Sequence, residues 1–167
     1  MMLAPIGSNL AQIAWVVGDL RTTEYHFRHA MGIDRFGETV TIRSREVEGT
    51  YYGEPSDAEW LVSIAYAGGT FIELIQPLSG QSIFMDYLDK NPGGGIQHIA
   101  YSLPIIDFEE ASAQLIGKEF PVITTVNMPV AKIAFFDTYH AIGVITEIIG
   151  LTEEGLKFVE NMKSERP

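Results

Sequence analysis

Hydrophobic and polar positions follow a pattern that occurs twice along the chain. Apolar, β-branched stretches at about residues 10–17 and 96–103 predict strands, and each leads into a helical pattern, over about 20–31 and 107–117. Three more strand-like stretches follow each helix; they read TVTIRS, EWLVSIAY and TFIELIQ in the first half, and FPVITTV, AKIAFFD and GVITEII in the second. The pattern therefore predicts two tandem βαβββ modules, a fold of the α+β class.

Cap and turn residues support these elements. Asp19 and Asp107 are predicted to cap the two helices, Gly32 and Gly117 to end them, and Ala67-Gly68-Gly69 to form a hairpin turn. The polar segment 48–59 is predicted to be a loop. The predicted organisation is a first module over 1–78, a helix and glycine-rich linker over 79–95, a second module over 96–150, and a C-terminal helix (Thr152 to Lys163) and tail over 151–167.

Charge and composition exclude several classes of function. With 11 basic against 22 acidic side chains, the chain carries a net charge of −11, which repels nucleic acids and anionic membranes. It contains no cysteine, so thiolate metal sites, cysteine nucleophiles and disulfides are excluded. No signal peptide and no membrane-spanning apolar stretch is evident in the sequence. We expect a cytoplasmic protein with neither a nucleic-acid nor a membrane partner.

Four polar side chains stand at matched places in the two halves. Gln12 and His98 lie in the first strand of each module, and Glu73 and Glu147 lie in the last strand, between neighbours that favour a strand. A carboxylate buried in a strand is costly unless a cation neutralises it. We therefore predict that all four bind one divalent metal ion. Amide, carboxylate and imidazole ligands suit Zn²⁺, Ni²⁺, Co²⁺ or Mn²⁺, and the sequence leaves this choice open.

These residues also carry a resemblance to a known family. The paired βαβββ pattern, FIELIQPL, MDYLDKNPGGGIQHIAYSL and GVITEIIG resemble the vicinal oxygen chelate superfamily, which includes glyoxalases, bleomycin resistance proteins and dioxygenases, over about residues 9–150. The chain is most similar to methylmalonyl-CoA epimerases and then to glyoxalase I. The resemblance implies a curved mixed sheet around a metal-binding cup, ligands at the same four positions, and a homodimer.

The resemblance further implies proton transfer next to a carbonyl group. The metal would stabilise an enolate of a small carbonyl substrate, such as an acyl thioester, while a carboxylate moves the proton. Glu147 is the first candidate for that carboxylate and Glu73 the second. The reaction would be that of an epimerase, an isomerase or a glyoxalase-type lyase. A non-catalytic binding protein of the same fold remains an alternative. An extradiol-type dioxygenase is a weaker one, because such enzymes bind iron through two histidines and one carboxylate, which Gln12 and two glutamates fit poorly.

Several other residues have two interpretations. The second acid or base of an epimerase is unassigned, because the strand register does not place Glu59 in the pocket, and Glu46 and Glu48 are better explained as solvated carboxylates. The remaining candidates, for which substrate binding competes with a surface or packing role, are His26 and His29 on the first helix, His140 near a pocket mouth, Arg43, Arg45 and Lys132 as anion ligands, and Tyr51 and Tyr52 as part of a lid.

Overall fold

The computed structural model describes residues 5–164, so the first four residues and the last three of the predicted tail lie outside the described part. The strands are β1 (Leu10–Val16), β2 (Val40–Arg43), β3 (Thr50–Tyr51), β4 (Glu54–Pro55), β5 (Glu59–Ala67), β6 (Thr70–Ser79), β7 (Gly95–Pro104), β8 (Val122–Met128), β9 (Ala131–Phe136) and β10 (Ile145–Leu151). The helices are α1 (Leu20–Met31), α2 (Ile83–Lys90), α3 (Phe108–Ile116), α4 (Tyr139–Ile142) and α5 (Glu153–Ser164).

Eight strands form one curved mixed sheet in the order β2-β5-β6-β1-β7-β10-β9-β8. β1 and β7 pair antiparallel at its centre, and each pairs on its other side in parallel with the last strand of its own half, β6 or β10. The two halves of the sheet therefore have the same strand order outward from the central pair. This architecture confirms the predicted α+β fold with a curved mixed sheet.

The faces of the sheet are covered differently. On one face, α1 packs through Leu20 over β6, and α3 packs through Phe108 and Ala111 over β9 and β10. On the other face, which is the inside of the curve, Phe84 of α2 joins Trp60 and Phe135 in a third apolar cluster. Burial of these apolar side chains is the main force that holds the helices on the sheet.

Two glycines are required by the backbone, one at the end of α1 and one where the linker passes close to β1. Gly32 ends α1 in the left-handed conformation, with a φ of 68°. Gly94, in the linker before β7, has a φ of 70°, and a Cβ there would lie 2.7 Å from the carbonyl oxygen of Val16. The linker thus needs glycine because it passes directly over the end of β1.

Some local predictions were wrong. Asp19 caps α1 by accepting a hydrogen bond from the Thr22 amide at 2.9 Å, but Asp107 makes no capping hydrogen bond, because a 3₁₀ turn over Ile105–Asp107 leads directly into α3. The predicted loop 48–59 contains the β3–β4 hairpin. The short helix α4, which precedes β10, was not predicted. No helix within residues 5–164 has both the length and the apolar character needed to cross a membrane.

Candidate metal centre

The strand register brings the four predicted ligands to the centre of the curved sheet. Across the four central strands, adjacent residues form two rows, which read Glu73, Ala14 and His98 in one row and Gln12, Ala100 and Glu147 in the other. The middle residue of each row is alanine, and Ala14 and Ala100 are both fully buried. Because alanine is short, the larger polar side chains on either side can extend over it toward each other.

The side chains meet at short distances. His98 Nε2 lies 3.2 Å from Oε2 of Glu73 and 3.2 Å from Oε2 of Glu147. The Gln12 amide donates hydrogen bonds of 2.9 Å to the same two carboxylate oxygens. Two ligands that bind an ion at about 2.1 Å with cis or tetrahedral angles are about 3.0–3.4 Å apart, so these separations match those of ligands around one ion.

The His98 ring is oriented by its neighbour in the chain. His98 is fully buried, and its Nδ1 forms a short hydrogen bond with Oε1 of Gln97, which is also buried. Because Oε1 can only accept, Nδ1 carries the proton, and in the neutral ring the lone pair is on Nε2. Gln97 in turn donates to the carbonyl oxygen of Ile83 at 3.4 Å, which ties the ring orientation to α2.

This orientation directs a lone pair at two carboxylates. Although Nε2 of His98 lies close to both oxygens, neither contact has hydrogen-bond geometry, and the atom has no hydrogen-bond partner among the described residues. Nε2 and one oxygen each of Glu73 and Glu147 all lie within 4.8 Å of one another. A buried lone pair that faces two negative oxygens is unfavourable unless a proton or a cation lies between them, and the donor set and spacing fit a divalent metal ion.

The pKa values of the cluster show the same need for positive charge. Burial acts to lower the pKa of His98, but the neighbouring Glu147 and Glu73 carboxylates outweigh it and raise this pKa from 6.5 to about 9. Burial raises the pKa of Glu147, and His98 partly counters that rise. Without a metal, the cluster therefore favours holding a proton.

Gln12 can serve the cluster in two ways. Its Nε2 faces the carboxylates here, but a half-turn of the amide exchanges Nε2 with Oε1. A side-chain oxygen is a suitable ligand for the harder divalent ions. The same residue can thus bridge the two carboxylates as a donor or act as a metal ligand, as the sequence predicts.

A large apolar cavity opens above the cluster, on the inside of the curved sheet. Its volume is about 470 Å³, and Gln12, Glu73 and Glu147 lie at its polar end. Apolar side chains make up most of its wall, among them Val62, Ile75, Val126, Ile133, Phe135 and Ile149. Phe158 and Met162 of α5 also border it. The candidate ligands are therefore accessible from a cavity large enough for a small molecule.

The comparisons with known proteins agree with this geometry. Residues 11–135 match the family model described as the glyoxalase/bleomycin resistance protein/dioxygenase superfamily. The chain belongs to this superfamily. Its model spans most of both halves of the sheet and includes Gln12, Glu73 and His98, while Glu147 follows in β10.

Within the superfamily, the chain is similar to several epimerases. It is 29% identical, over 72% of its length and 84% of the relative's, to an ethylmalonyl-CoA/methylmalonyl-CoA epimerase from Cereibacter sphaeroides. The crystal structure of a Mycobacterium tuberculosis methylmalonyl-CoA epimerase matches with a TM-score of 0.66 at 18% identity, and the match covers 92% of this chain and 95% of that one. A methylmalonyl-CoA epimerase solved with methylmalonyl-CoA and NH₄⁺ matches with a TM-score of 0.58 at 20% identity, covering 86% and 94%.

The structure places the other sequence candidates outside the cavity lined by Gln12, Glu73 and Glu147, which we call the metal cavity. Arg43, Arg45 and Lys132 form ion pairs with Glu59, Asp57 and Glu109, respectively, at 3.5, 3.8 and 3.0 Å. None of these six residues lines the metal cavity. The three basic residues therefore lie beside carboxylates and outside this cavity, where they cannot pair with a charge on a ligand bound in it.

The histidine and tyrosine candidates also lie elsewhere. His26 and His29 are exposed on α1, where His29 stacks on Tyr25. His140 and Tyr52 line a second cavity of about 340 Å³, on the side of the cluster where Gln97 lies. Tyr51 donates a hydrogen bond of 2.7 Å to Asp86 of α2. The predicted lid role of the two tyrosines at the metal cavity is thus not supported by their positions.

Two residues at the site were not found from the sequence. Gln97 precedes His98 directly, and strand alternation alone assigns it to the opposite face of β7, so its contact with the ring could not be anticipated. Glu38 lines the metal cavity from the segment before β2, whereas Glu46, Glu48 and Glu59 do not. Gln97 could have been found only from the packing of α2 over the sheet, and Glu38 only from the path of the segment before β2.

Proposed function

We propose that this protein is a metal-dependent proton-transfer enzyme of the epimerase or isomerase type, acting on the carbon next to a carbonyl group. The observation that carries the proposal is the unpaired, buried Nε2 of His98, which faces the Glu73 and Glu147 carboxylates at the polar end of a cavity. The similarity to curated and solved methylmalonyl-CoA epimerases supports the reaction class.

Four residues would bind the metal ion, and a fifth would orient one of them. His98 Nε2, the Glu73 and Glu147 carboxylates and the Gln12 amide oxygen would hold the ion. A divalent ion there would supply Lewis-acid stabilisation of negative charge on the carbonyl oxygen. Gln97 would keep the His98 lone pair directed at the ion.

Glu147 is the stronger candidate for the proton-transferring carboxylate, with Glu73 second. Burial raises the pKa of Glu147, which makes its carboxylate a better base toward a weakly acidic carbon. Both carboxylates line the cavity and could therefore reach a bound substrate. In an epimerase, one group removes the proton and another returns it on the opposite face, so a second acid is required.

Metal content and hydrogen exchange test this proposal together. Purified protein loaded with Zn²⁺, Ni²⁺, Co²⁺ or Mn²⁺ is expected to hold one ion and to exchange the proton next to the carbonyl of methylmalonyl-CoA, or of another carbonyl compound, with solvent deuterium. Glu147→Gln should reduce exchange by about 100-fold or more, because general-base catalysis contributes factors of this size. The matched control is Glu59→Gln, since Glu59 is paired with Arg43 and lies outside the cavity. Absence of bound metal would contradict the proposal.

A non-catalytic binding protein is the second candidate, and the apolar wall of the cavity favours it. An apolar cavity of about 470 Å³ can bind a small molecule whatever chemistry follows. Tight ligand binding with no exchange at any metal loading would favour this function. Consumption of oxygen with a catechol would instead favour a dioxygenase.

A further inference from the structure

The two ends of the cavity above the metal cluster differ in polarity, and this difference limits the ligands that the cavity can bind. The cluster end is polar, whereas the wall is formed by aliphatic and aromatic side chains from β2, β5, β6, β8, β9 and β10. Two more apolar side chains, Phe158 and Met162, come from α5. A ligand that fits both ends has one oxygen-bearing group and a sizeable apolar body.

The charges around the cavity are all of one sign. Glu73, Glu147 and Glu38 line it, and none of the lining residues within the described part of the chain is lysine or arginine. A divalent ion would neutralise Glu73 and Glu147, while the third carboxylate, Glu38, is exposed to solvent. An additional carboxylate or phosphate on the ligand would therefore be desolvated against an apolar wall that offers no basic side chain to pair it.

The volume sets the size of the apolar body. A cavity of about 150 Å³ lined by apolar side chains holds one benzene ring, so about 470 Å³ offers room for roughly two to three rings. A methylmalonyl group is much smaller and bears a free carboxylate. It would leave most of the apolar wall in contact with water and place its charge in a cavity without a basic side chain.

We propose that the ligand of this cavity is a neutral carbonyl compound with an apolar body of about two to three rings, whose carbonyl end meets the metal cluster. This inference rests on the proposed function for the chemistry at the metal, and it differs from that function in excluding an anionic acyl group from the cavity. Phe158 and Met162 are then specificity-determining residues, because they add apolar wall at the α5 side.

Trp60 provides a direct readout of binding. Trp60 lines the cavity and is one of two tryptophans; the other, Trp15, packs against Phe27 of α1 on the opposite face of the sheet. In a Trp15→Phe background, indole fluorescence therefore reports the cavity alone. The probes are benzoin, a neutral two-ring hydroxyketone with a proton next to its carbonyl, its ring-carboxylated analogue, and methylmalonyl-CoA.

Benzoin is expected to change Trp60 fluorescence and to bind about tenfold or more tightly than the carboxylated analogue or methylmalonyl-CoA. Met128→Lys, which adds a cation at the cavity wall, should reverse the preference between benzoin and its carboxylated analogue. The matched control Met31→Lys, on an exposed part of α1, should leave it unchanged. Met162→Lys adds the same charge from α5 and serves if Met128→Lys does not fold. Phe158→Ala should weaken benzoin binding several-fold.

Three results would overturn the inference. One is tighter binding of either anionic probe to the unsubstituted cavity, and another is no binding of benzoin. The third is a change in oligomeric state on Met162→Lys or Phe158→Ala, which would show that a second copy of the chain covers the cavity mouth. Failure of the proposed function is separate, since it appears as absent metal or absent deuterium exchange while the Trp60 response to benzoin persists.

Discussion

Gln97 is the residue through which the surrounding fold acts on the metal cluster, and Gln97→Leu tests that role. The substitution keeps the approximate volume but removes the oxygen that accepts from His98 Nδ1. Because His98 is fully buried, water cannot replace this acceptor. Without this acceptor, the metal-free ring is free to release its Nδ1 proton and keep only the proton on Nε2, which faces Glu73 and Glu147 and competes with the ion.

The size of the effect on metal affinity depends on whether the metal-bound or the metal-free protein is destabilised more by the lost hydrogen bond. A metal-bound His98 must keep its proton on Nδ1, so the ion-bound protein would bury an unsatisfied donor at a cost of about 1–3 kcal/mol. The metal-free protein, in which the carboxylates favour a proton on Nε2, avoids part of this cost by releasing the proton on Nδ1. The difference falls on metal affinity and corresponds to about a 10- to 100-fold loss, which is also the usual effect of removing a partner of a metal-bound histidine.

Competition with a chelator of known affinity measures this loss. Gln76→Leu is the matched control: Gln76 also lies in a strand and accepts a hydrogen bond through Oε1, from the Leu20 amide at 2.8 Å, but it caps α1 and does not contact the cluster. Gln76→Leu should lower the free energy of unfolding and leave metal affinity unchanged. Gln97→Glu, which keeps an acceptor, should retain binding. Equal metal affinity in Gln97→Leu and the unsubstituted protein would refute the reasoning.

Three further predictions test other parts of the structure. Ala100→Leu should abolish metal binding, because Ala100 is fully buried between Gln12 and Glu147, whereas Ala141→Leu on exposed α4 should not; metal content after dialysis decides this. Asp19→Ala should lower the free energy of unfolding by about 1 kcal/mol and Asp107→Ala by much less, as measured by urea denaturation, since only Asp19 caps its helix. Burial and Asp86 raise the pKa of Tyr51 to about 12, so its contribution to stability, complete below pH 10, should be lost as the pH rises through 12; a Tyr51 phenol that titrates late and moves earlier in Asp86→Asn would confirm it.

The convergence of the four candidate ligands could be predicted because it depends on backbone periodicity. A strand determines which side chains share a face, and the duplication assigns the same role to Gln12 and His98 and to Glu73 and Glu147. The cluster that results lies across four adjacent strands, where register alone brings the side chains together. The strands, the two main helices and the order of the halves follow from the same local signals.

What could not be predicted depends on how segments outside the repeat pack over it. Asp107 has the sequence of a cap, but the preceding 3₁₀ turn fixes its backbone in a helical conformation and removes that role. Arg43, Arg45 and Lys132 are available anion ligands in the sequence, yet neighbouring carboxylates pair with each of them in the fold. The apolar cavity has contributions from both edges of the sheet and from α5, so no single stretch of sequence announces it.

The two halves share a backbone plan, but the substrate end of the site is not symmetric. α2 closes part of the inside of the curve with Phe84, against which His98 and Phe135 pack, while α5 borders the cavity from another side with Phe158 and Met162. Neither helix belongs to the duplicated βαβββ unit. The duplication therefore accounts for the candidate metal ligands, whereas the two added helices contribute to how much apolar wall a bound ligand meets. Relatives with the same ligands can consequently differ in substrate through these helices alone, which is why similarity to an epimerase supports the chemistry of this site more strongly than the identity of its substrate.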